Sequence, residues 1–585
     1  MNIHSLLKKY WGYDSFRPLQ EDIINSVLDG NDTLGLLPTG GGKSITFQVP
    51  ALAFDGLTIV VTPLISLMKD QVDNLRANGI KATHLHSGLT RSEHKLGLDR
   101  CRLGKVKLLY ISPEKLQSPN FIAELRTFHV SMIVVDEAHC ISQWGYDFRP
   151  SYLKIGELRD LFPEAPVLAL TASATPDVVE DIMVKLRFKK RQVFARSFSR
   201  DNLSYIVRND YDKERQLLKI LANTSGSAIV YVRSRRKTRE IAQFLCENGI
   251  SADYYHAGLD IEDKNQKQGM WKDDETRVMV ATNAFGMGID KPDVRVVVHV
   301  DIPTSLEEYY QEAGRAGRDG KPAFAVLIVA PYDKGKLTRY ISDSFPDKDF
   351  IKRVYELAGN FVNLPVGEGY NRLFEFNFAL FTKTYSIPVL PARSAMKLLT
   401  QAGYFEFMEE VTMQSRVMVV ARKDELYDLR IEPIQEEIFN MLLRSYTGLF
   451  ADFVYVNEPL VARRCFVSEQ KVYETLLMLS RMHVIQYIPR KSTPYILYTT
   501  SRELPKYIDM PKAVYEDQKE RLKMRIEAVK RFAFNDEECR VNSMLRYFGE
   551  KPVKPCGKCD VCRSRQSSAT SAERRSILIT SSGLA

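Results

Sequence analysis

Between residues 57 and 331 the chain repeats one pattern, a short β-branched apolar run that breaks off into a polar or glycine-rich loop. "LTIVVTP" (57–63), "VKLLYISP" (106–113), "SMIVVDEAH" (131–139) and "PVLALTASAT" (166–175) form one series. "SAIVYVRS" (227–234), "ADYYHAG" (252–258), "TRVMVAT" (276–282), "VRVVVHVDIP" (294–303) and "AFAVLIVAP" (323–331) form a second. Runs this apolar are buried on both faces, and helical patterns fill the gaps, so the series predict parallel sheets covered by helices. The expected architecture is α/β, with two such sheets in tandem joined near residues 195–210. Ligands of these sheets bind beyond the carboxyl ends of the strands.

At 585 residues the chain is too long for one core, and after residue 335 the pattern changes. "RSAMKLLTQAGYFEFMEEVTMQSRVMVVARK" reads as a helix and two strands. "SEQKVYETLLMLSRMHVIQYIPRKSTPYILYT" repeats that layout, with Ser468 placed to cap its helix and a turn around Pro489–Pro494. Helix plus hairpin fits winged-helix units, and periodicity alone leaves other small α+β folds open. "VYEDQKERLKMRIEAVKRFAF" (514–534) is a basic helix, and the last stretch, "RQSSATSAERRSILITSSGLA", has no pattern and is expected to be disordered.

Lys and Arg outnumber Asp and Glu by 82 to 73, a mild excess that permits a polyanionic partner without demanding one. No apolar run has membrane-spanning length and the N-terminus lacks signal-peptide features, so a cytoplasmic protein with no membrane association is expected. Of eight cysteines, Cys539, Cys556, Cys559 and Cys562 cluster near the end. In a reducing compartment such clustering points to metal.

"GLLPTGGGKS" ends a predicted strand and opens a helix. Consecutive glycines turn backbone N–H groups around phosphates, and the helix N-terminus adds positive potential. The candidate nucleotide ligands here are Pro38, Thr39, Gly40, Gly41, Gly42, Lys43 and Ser44. Lys43 would reach the β and γ phosphates, and Ser44 would ligate Mg²⁺. The strict phosphate-loop pattern has glycine where Leu37 stands, so the match is to the looser form. "VVDEAH" adds Asp136 as a second Mg²⁺ candidate and Glu137 to orient and deprotonate the attacking water. "QEAGRAGRDG" places Arg315 and Arg318 three residues apart, suited to the spread charge of a transferring phosphoryl group. "ATNAFGMGIDKPD" brings a second glycine-rich loop, with Gly288 and Asp290 as further nucleotide-binding candidates. The expectation is ATP held between the two sheets.

The stretches "GYDSFRPLQ", "PTGGGKS", "VVTPLISLMKDQ", "DEAHCISQWGYDFRP", "LTASAT", "ATNAFGMGIDKPDVR" and "YYQEAGRAGRDG" together resemble the RecQ family of superfamily-two DNA helicases, across residues 1–335. The resemblance implies two RecA-like domains, ATP-driven 3′ to 5′ movement on single-stranded DNA with unwinding of forked duplexes, and work in DNA repair or recombination. It implies that Tyr13, Arg17 and Gln20 hold the adenine end of the nucleotide. It also implies that the loop after "DEAH" couples single-stranded DNA to the ATP site. Trp144 and Phe148 would offer stacking faces, Arg149 a phosphate or cation–π contact, and His139 and Gln143 lie between them and Glu137. In the same comparison the four clustered cysteines supply a tetrahedral set for structural Zn²⁺.

The chain departs from bacterial relatives in placing residues 336–510 ahead of the cysteines. The expected layout is a first RecA-like domain over 1–205, a second over 206–335, a winged-helix-like region over 336–510, a zinc module over 511–565 and a tail over 566–585. Tyr487, Arg490, Lys491 and Tyr495 of the expected hairpin either touch duplex DNA or form a plain surface wing. Two other functions stay open: an RNA helicase or duplex translocase, and a DNA-binding regulator with residual ATPase. Protein partners are not legible.

Overall fold

The computed structural model describes residues 2–566 except 39, 87, 88, 90, 146, 287, 288, 290, 409–414, 422–430, 447, 448, 451–453, 483 and 489–493. Thr39, Gly288, Asp290, Arg490, Lys491 and the expected disordered tail beyond 566 therefore lie outside the described residues. The chain divides into two compact units, one of residues 1–338 plus the stretch from Arg521 onward, the other Arg339–Glu520. Among the described residues no helix is long and apolar enough to cross a membrane.

The first unit holds two parallel sheets, as the strand series predict. Sheet one contains β1 (Asp32–Leu36), β2 (Leu57–Val61), β3 (Ala82–Leu85), β4 (Leu108–Ile111), β5 (Val130–Val135), β6 (Val167–Thr171) and β7 (Arg191–Ala195), in the order β3-β4-β2-β5-β6-β1-β7. Sheet two contains β8 (Leu203–Asn209), β9 (Ala228–Tyr231), β10 (Ala252–Tyr255), β11 (Val278–Ala281), β12 (Val296–His299) and β13 (Ala323–Val329), in the order β10-β11-β9-β12-β13-β8. Alternate side chains of β5 feed opposite cores, Ile133 and Val135 one face, Met132 and Val134 the other. That two-sided burial is why these strands read as continuous apolar runs. β8 pairs along its length with β13, so the boundary expected at 205 falls inside a strand of the second sheet.

β5 and β1 flank β6, and Val135 and Leu36 end their strands level with Ala169 and Thr171 of β6. The loops after β1, β5 and β6 therefore open side by side at one edge. The cysteine region folds back onto the segment between the two sheets and onto Tyr310 of the second sheet's body. Phe548 stacks on Phe198 with ring centroids 4.1 Å apart, and Glu550 accepts hydrogen bonds from Ser197 Oγ (2.7 Å) and the Phe198 N–H (2.6 Å).

The second unit corrects the expected hairpins. Its strands are β14 (Leu373–Glu375), β15 (Phe405–Met408), β16 (Ser415–Val419), β17 (Val454–Val456), β18 (Ile485–Ile488) and β19 (Tyr495–Tyr498). β15 pairs with β19 and β16 with β18, all antiparallel, in two separate three-stranded sheets. Each expected hairpin thus sends its two strands to different sheets. A body running from β16 to β18 is nested in the chain between β15 and β19. Tyr487 is buried and donates its hydroxyl to Glu458, so it is no exposed wing residue.

Candidate active site

The turn after β1 delivers the "GGGKS" backbone to the start of the Lys43–Ala53 helix. Gly42 has φ 78°, and a Cβ there would lie 2.3 Å from Gln20 Nε2, so only glycine fits. Gln20 itself is 3% exposed. Its Oε1 accepts from the Arg17 N–H at 2.8 Å and its Nε2 donates to the Gly42 carbonyl at 3.0 Å. Arg17 Nη1 donates to the Gly40 carbonyl at 2.7 Å. Two of the three residues expected at the adenine end, Gln20 and Arg17, thus brace the phosphate loop from behind, and a base edge must displace the Gln20 bonds to reach its amide.

Lys43, at the helix start, meets Glu137 from the loop after β5, with Nζ to Oε1 3.2 Å. Glu137 adopts the left-handed region at φ 49°, a cost of order 1–3 kcal/mol that surrounding structure must over-determine. That conformation turns the chain sharply after β5 and brings the Glu137 carboxylate back over the strand ends. Burial works to raise the Glu137 carboxyl, but Lys43, His139 and Arg315 outweigh it and hold it below the ordinary glutamate value. Asp136 goes the other way, pushed up to about 6, first by burial and then by the charge of Glu137. Its carboxylate accepts from the Glu137 N–H at 3.0 Å and from Thr62 Oγ1 at 3.5 Å.

Lys43, Ser44, Asp136 and Glu137 line one wall of a cavity of about 630 Å³, with Arg315 and Arg318 from the second sheet's body on the other. Tyr13, Arg17, Gln20, Gly40 and Gly42 line the same cavity, while Pro38 and Gly41 are buried outside its lining. Among the described residues Glu137 Oε2 and Arg315 Nε are buried polar atoms without a hydrogen-bond partner, both in residues that face this space. A site with a helix start, a lysine, two arginines and two carboxylates at strand ends fits a nucleoside triphosphate with Mg²⁺. Ser44 and Asp136 are the residues that would hold the metal.

His139 is fully buried, its Nδ1 2.9 Å from Thr171 Oγ1 and 3.4 Å from Glu137 Oε2. Burial, before any charge, lowers its pKa. Tyr152 is also fully buried and donates its hydroxyl to the Asp136 carbonyl at 3.1 Å. Gln143 is exposed and Trp144 is 41% exposed, whereas Phe148 and Arg149 are half-buried. Arg149 bonds to Asp147 at 3.1 Å and to the Pro63 carbonyl at 3.2 Å, so its guanidinium serves the loop's own fold rather than standing free for phosphate.

Sequence reading missed Gln311, whose Nε2 donates to Ser173 Oγ at 3.1 Å between the two sheets' bodies. Both lie in motifs already singled out, "QEAGR" and "LTASAT", and that shared context was the available signal.

The four cysteine sulfurs lie within 4.8 Å of one another, with Cys556 and Cys562 4.0 Å apart. A zinc–sulfur bond of about 2.3 Å sets tetrahedral sulfurs about 3.8 Å apart, so the set fits structural Zn²⁺. Backbone N–H groups of Cys556, Cys559 and Cys562 each donate to the sulfur of another cysteine at 3.4 Å, as thiolate ligands require. Arg540, 1% exposed, ties Asp560 to the carbonyl of Asn535 and locks the module's helices together.

Family comparisons agree with this geometry. The DEAD/DEAH box helicase model matches residues 17–182 and the helicase conserved C-terminal domain matches 212–320. The RecQ helicase winged-helix domain of Bacteroidota matches 417–489, and the RecQ zinc-binding model matches 501–563. The protein named "Probable ATP-dependent DNA helicase RecS" of Bacillus subtilis is 43% identical over 336 residues, covering 57% of this chain and 67% of that protein. The chain belongs to the RecQ family. Its two parallel sheets are RecA-like domains, and the winged helix is the body nested between β15 and β19. The ATP-dependent DNA helicase RecQ of Haemophilus influenzae is 45% identical over 360 residues, covering 61% of this chain and 58% of that protein. RecQ of Pasteurella multocida is 47% identical over 329 residues, covering 56% of this chain and 52% of that protein. The chain thus spans a little over half the length of these two curated RecQ relatives.

Proposed function

We propose that this RecQ-family chain is an ATP-dependent DNA helicase that moves 3′ to 5′ on single-stranded DNA and separates forked duplexes. One observation carries the reading: Glu137, on the cavity wall, sits two residues from a buried histidine that begins an aromatic loop facing outward through Trp144. Lys43 and the phosphate-loop backbone bind the phosphates, and Ser44 and Asp136 would hold Mg²⁺, which when bound would neutralise phosphate charge. Glu137 orients the attacking water and takes its proton. Its low pKa keeps it in the basic form for that role. Arg315 and Arg318 stabilise the charge that spreads over the transferring group, a contribution on the order of 10³-fold or more. Tyr13, Arg17 and Gln20 hold the base end of the nucleotide, the last two by exchanging their bonds to the phosphate loop.

His139, Gln143, Trp144, Phe148 and Arg149 form the coupling loop, with Trp144 its outward stacking face. The first RecA-like domain supplies the phosphate loop, the second the arginines, and the zinc module stiffens the second. The deciding measurement is ATP-driven unwinding of duplexes bearing either a 3′ or a 5′ single-stranded tail. The reading expects unwinding from the 3′ tail alone. Equal activity on an RNA tracking strand, or hydrolysis without strand separation on either tail, would overturn it.

A further inference from the structure

The basic helix Glu516–Phe534 lies against the aromatic loop, and two of its arginines, one turn apart, take every backbone carbonyl from 143 to 145. Arg521 Nη1 donates to the Gln143 carbonyl at 3.3 Å. Arg525 Nη2 donates to the carbonyls of Trp144 (2.6 Å) and Gly145 (2.8 Å). The Arg521 guanidinium also lies over the indole of Trp144, 4.0 Å from the ring centroid. A nucleobase stacks on an indole face at the same separation, so guanidinium and base compete for that face.

The loop is not free to drift while this contact holds. The Trp144 N–H donates to Ser142 Oγ at 3.1 Å, the Ser142 N–H to the His139 carbonyl at 3.1 Å, and the Gly145 N–H to the Ser142 carbonyl at 3.0 Å. A Cβ on Gly145 would lie 2.6 Å from the His139 carbonyl, so the turn is packed directly on the residue beside Glu137. The same helix also packs on the other parts of the unit: Phe532 meets Tyr309 of the second RecA-like domain, ring centroids 5.2 Å apart, and Arg540 of the cysteine module donates to the Phe532 carbonyl. Three parts of the unit therefore converge on this helix.

We propose that Arg521 and Arg525 are positioning residues of the coupling loop: Arg525 grips its backbone, and Arg521 occupies the Trp144 face that a base of single-stranded DNA must take. The inference rests on the reading of the loop as the DNA sensor and adds to it a competitor built into the chain. Single-stranded DNA does not find Trp144 open; it displaces Arg521, and the loop's hold on His139 changes with it. The basic helix thereby sets how much DNA is needed to trigger hydrolysis. In this arrangement Arg521 Nη1 and Arg525 Nη2 are engaged by the loop's carbonyls.

A double-mutant cycle separates displacement from loss of a positive charge. Binding of a labelled oligo-dT by anisotropy, and its stimulation of ATP hydrolysis, are measured for wild type, R521A, W144A and the double variant. Relative to its effect in the W144A background, R521A should favour oligo-dT binding roughly 2- to 5-fold, the size of an exposed cation–π contact. The DNA concentration for half-maximal stimulation should fall by the same factor. Acrylamide quenching of the Trp144 emission, taken as wild type minus W144A, should increase in R521A. An equal effect of R521A in both backgrounds, or weaker binding confined to the Trp144 background, would overturn the proposal. Oligo-dT binding without any stimulation of wild-type hydrolysis would instead refute the helicase reading, and the binding cycle would still decide the competition.

Discussion

Gln311 reaches from the second RecA-like domain to Ser173 of the first, Nε2 to Oγ 3.1 Å, in a bond both of whose partners are buried. Ser173 leads on through its N–H to Thr171 Oγ1 (3.4 Å), and Thr171 to His139 (2.9 Å), which stands beside Glu137. A fully paired buried network of this kind rigidifies its members. Ser173→Ala strands the Gln311 amide and should cost about 1–3 kcal/mol. The expected outcome is a lower Tm together with a lower DNA-stimulated kcat. A lower Tm with unchanged kcat would reduce the bond to a fastening between domains.

Lys43→Ala removes the phosphate partner and the cation nearest Glu137 at one stroke. ATP hydrolysis should fall on the order of 10²-fold or more, the usual result of deleting one charge-stabilising donor. Binding of single-stranded DNA should persist, because Gln143, Trp144, Phe148 and Arg149 are not among the residues that line the cavity. A steady-state ATPase assay beside an anisotropy titration checks both, and hydrolysis at the wild-type rate would remove the phosphate-loop assignment.

Cys559→Ser should lower zinc content and stability together, since metal binding in a small module is folding energy. The effect should extend beyond the module. Phe548 and Glu550 hang from it and cover Phe198 and Ser197 in the segment between the two sheets. Zinc by atomic emission and limited proteolysis around residues 196–202 are the measurements. Wild-type protein purified without zinc, and equally protease-resistant, would contradict the assignment.

The parts of the fold read correctly from sequence are those with a local mark. β2, β5 and β9 are buried on both faces, so their composition alone declares them. β3 escaped because His84 interrupts its apolar run, and β7 because four of its five residues face water. The nesting of the winged helix, as opposed to its presence, escaped for a different reason. Pairing of β15 with β19 across the insertion leaves no trace in either strand, and adjacent strands in sequence imitate a hairpin. At the site, Lys43, Glu137 and the arginine pair were legible through motif spacing. The bracing roles of Gln20 and Arg17 were not, because a side chain bonded to backbone carbonyls has no partner residue type to recognise. Arg521 and Arg525 looked like any solvated basic helix face, since their partners lie 378 to 381 residues away in sequence.

Glu312 and His299 form a buried pair, Nε2 to Oε2 2.8 Å. Burial pushes the Glu312 carboxyl up to about 8 against the pull of Arg315 and Arg233, and burial lowers His299 to about 3. Near neutrality the pair is therefore uncharged, with the acid donating to the imidazole. A folded-state pKa above the unfolded one stabilises fully below about pH 4.5, and that stability is lost as pH rises through about 8. Glu312→Gln keeps a donor and cannot titrate. Its unfolding free energy relative to wild type, and with it its relative Tm, should rise steadily between pH 5 and pH 8, the former by on the order of a few kcal/mol at most. A Tm difference that stays flat with pH would show that the carboxyl titrates normally.

Trp144 and Tyr152 bracket the same loop and should behave oppositely when truncated. Tyr152 is fully buried, and its hydroxyl holds the Asp136 carbonyl. Replacing it with alanine should cost about 3–5 kcal/mol and lower every activity together. Trp144 keeps 41% of its surface in water, and its ring lies under the Arg521 guanidinium. Its loss should stay within about 1 kcal/mol in stability, as for surface positions generally. What should fall in Trp144→Ala is the stimulation of hydrolysis by single-stranded DNA, and unwinding with it. Overall DNA affinity should drop only modestly, because phosphate contacts supply most of it. Melting temperature, DNA-stimulated hydrolysis and oligonucleotide affinity, measured side by side for both variants, separate a sensor from a packing residue. A stable Trp144→Ala protein with undiminished stimulation by DNA would show that the base-stacking face lies elsewhere in the loop.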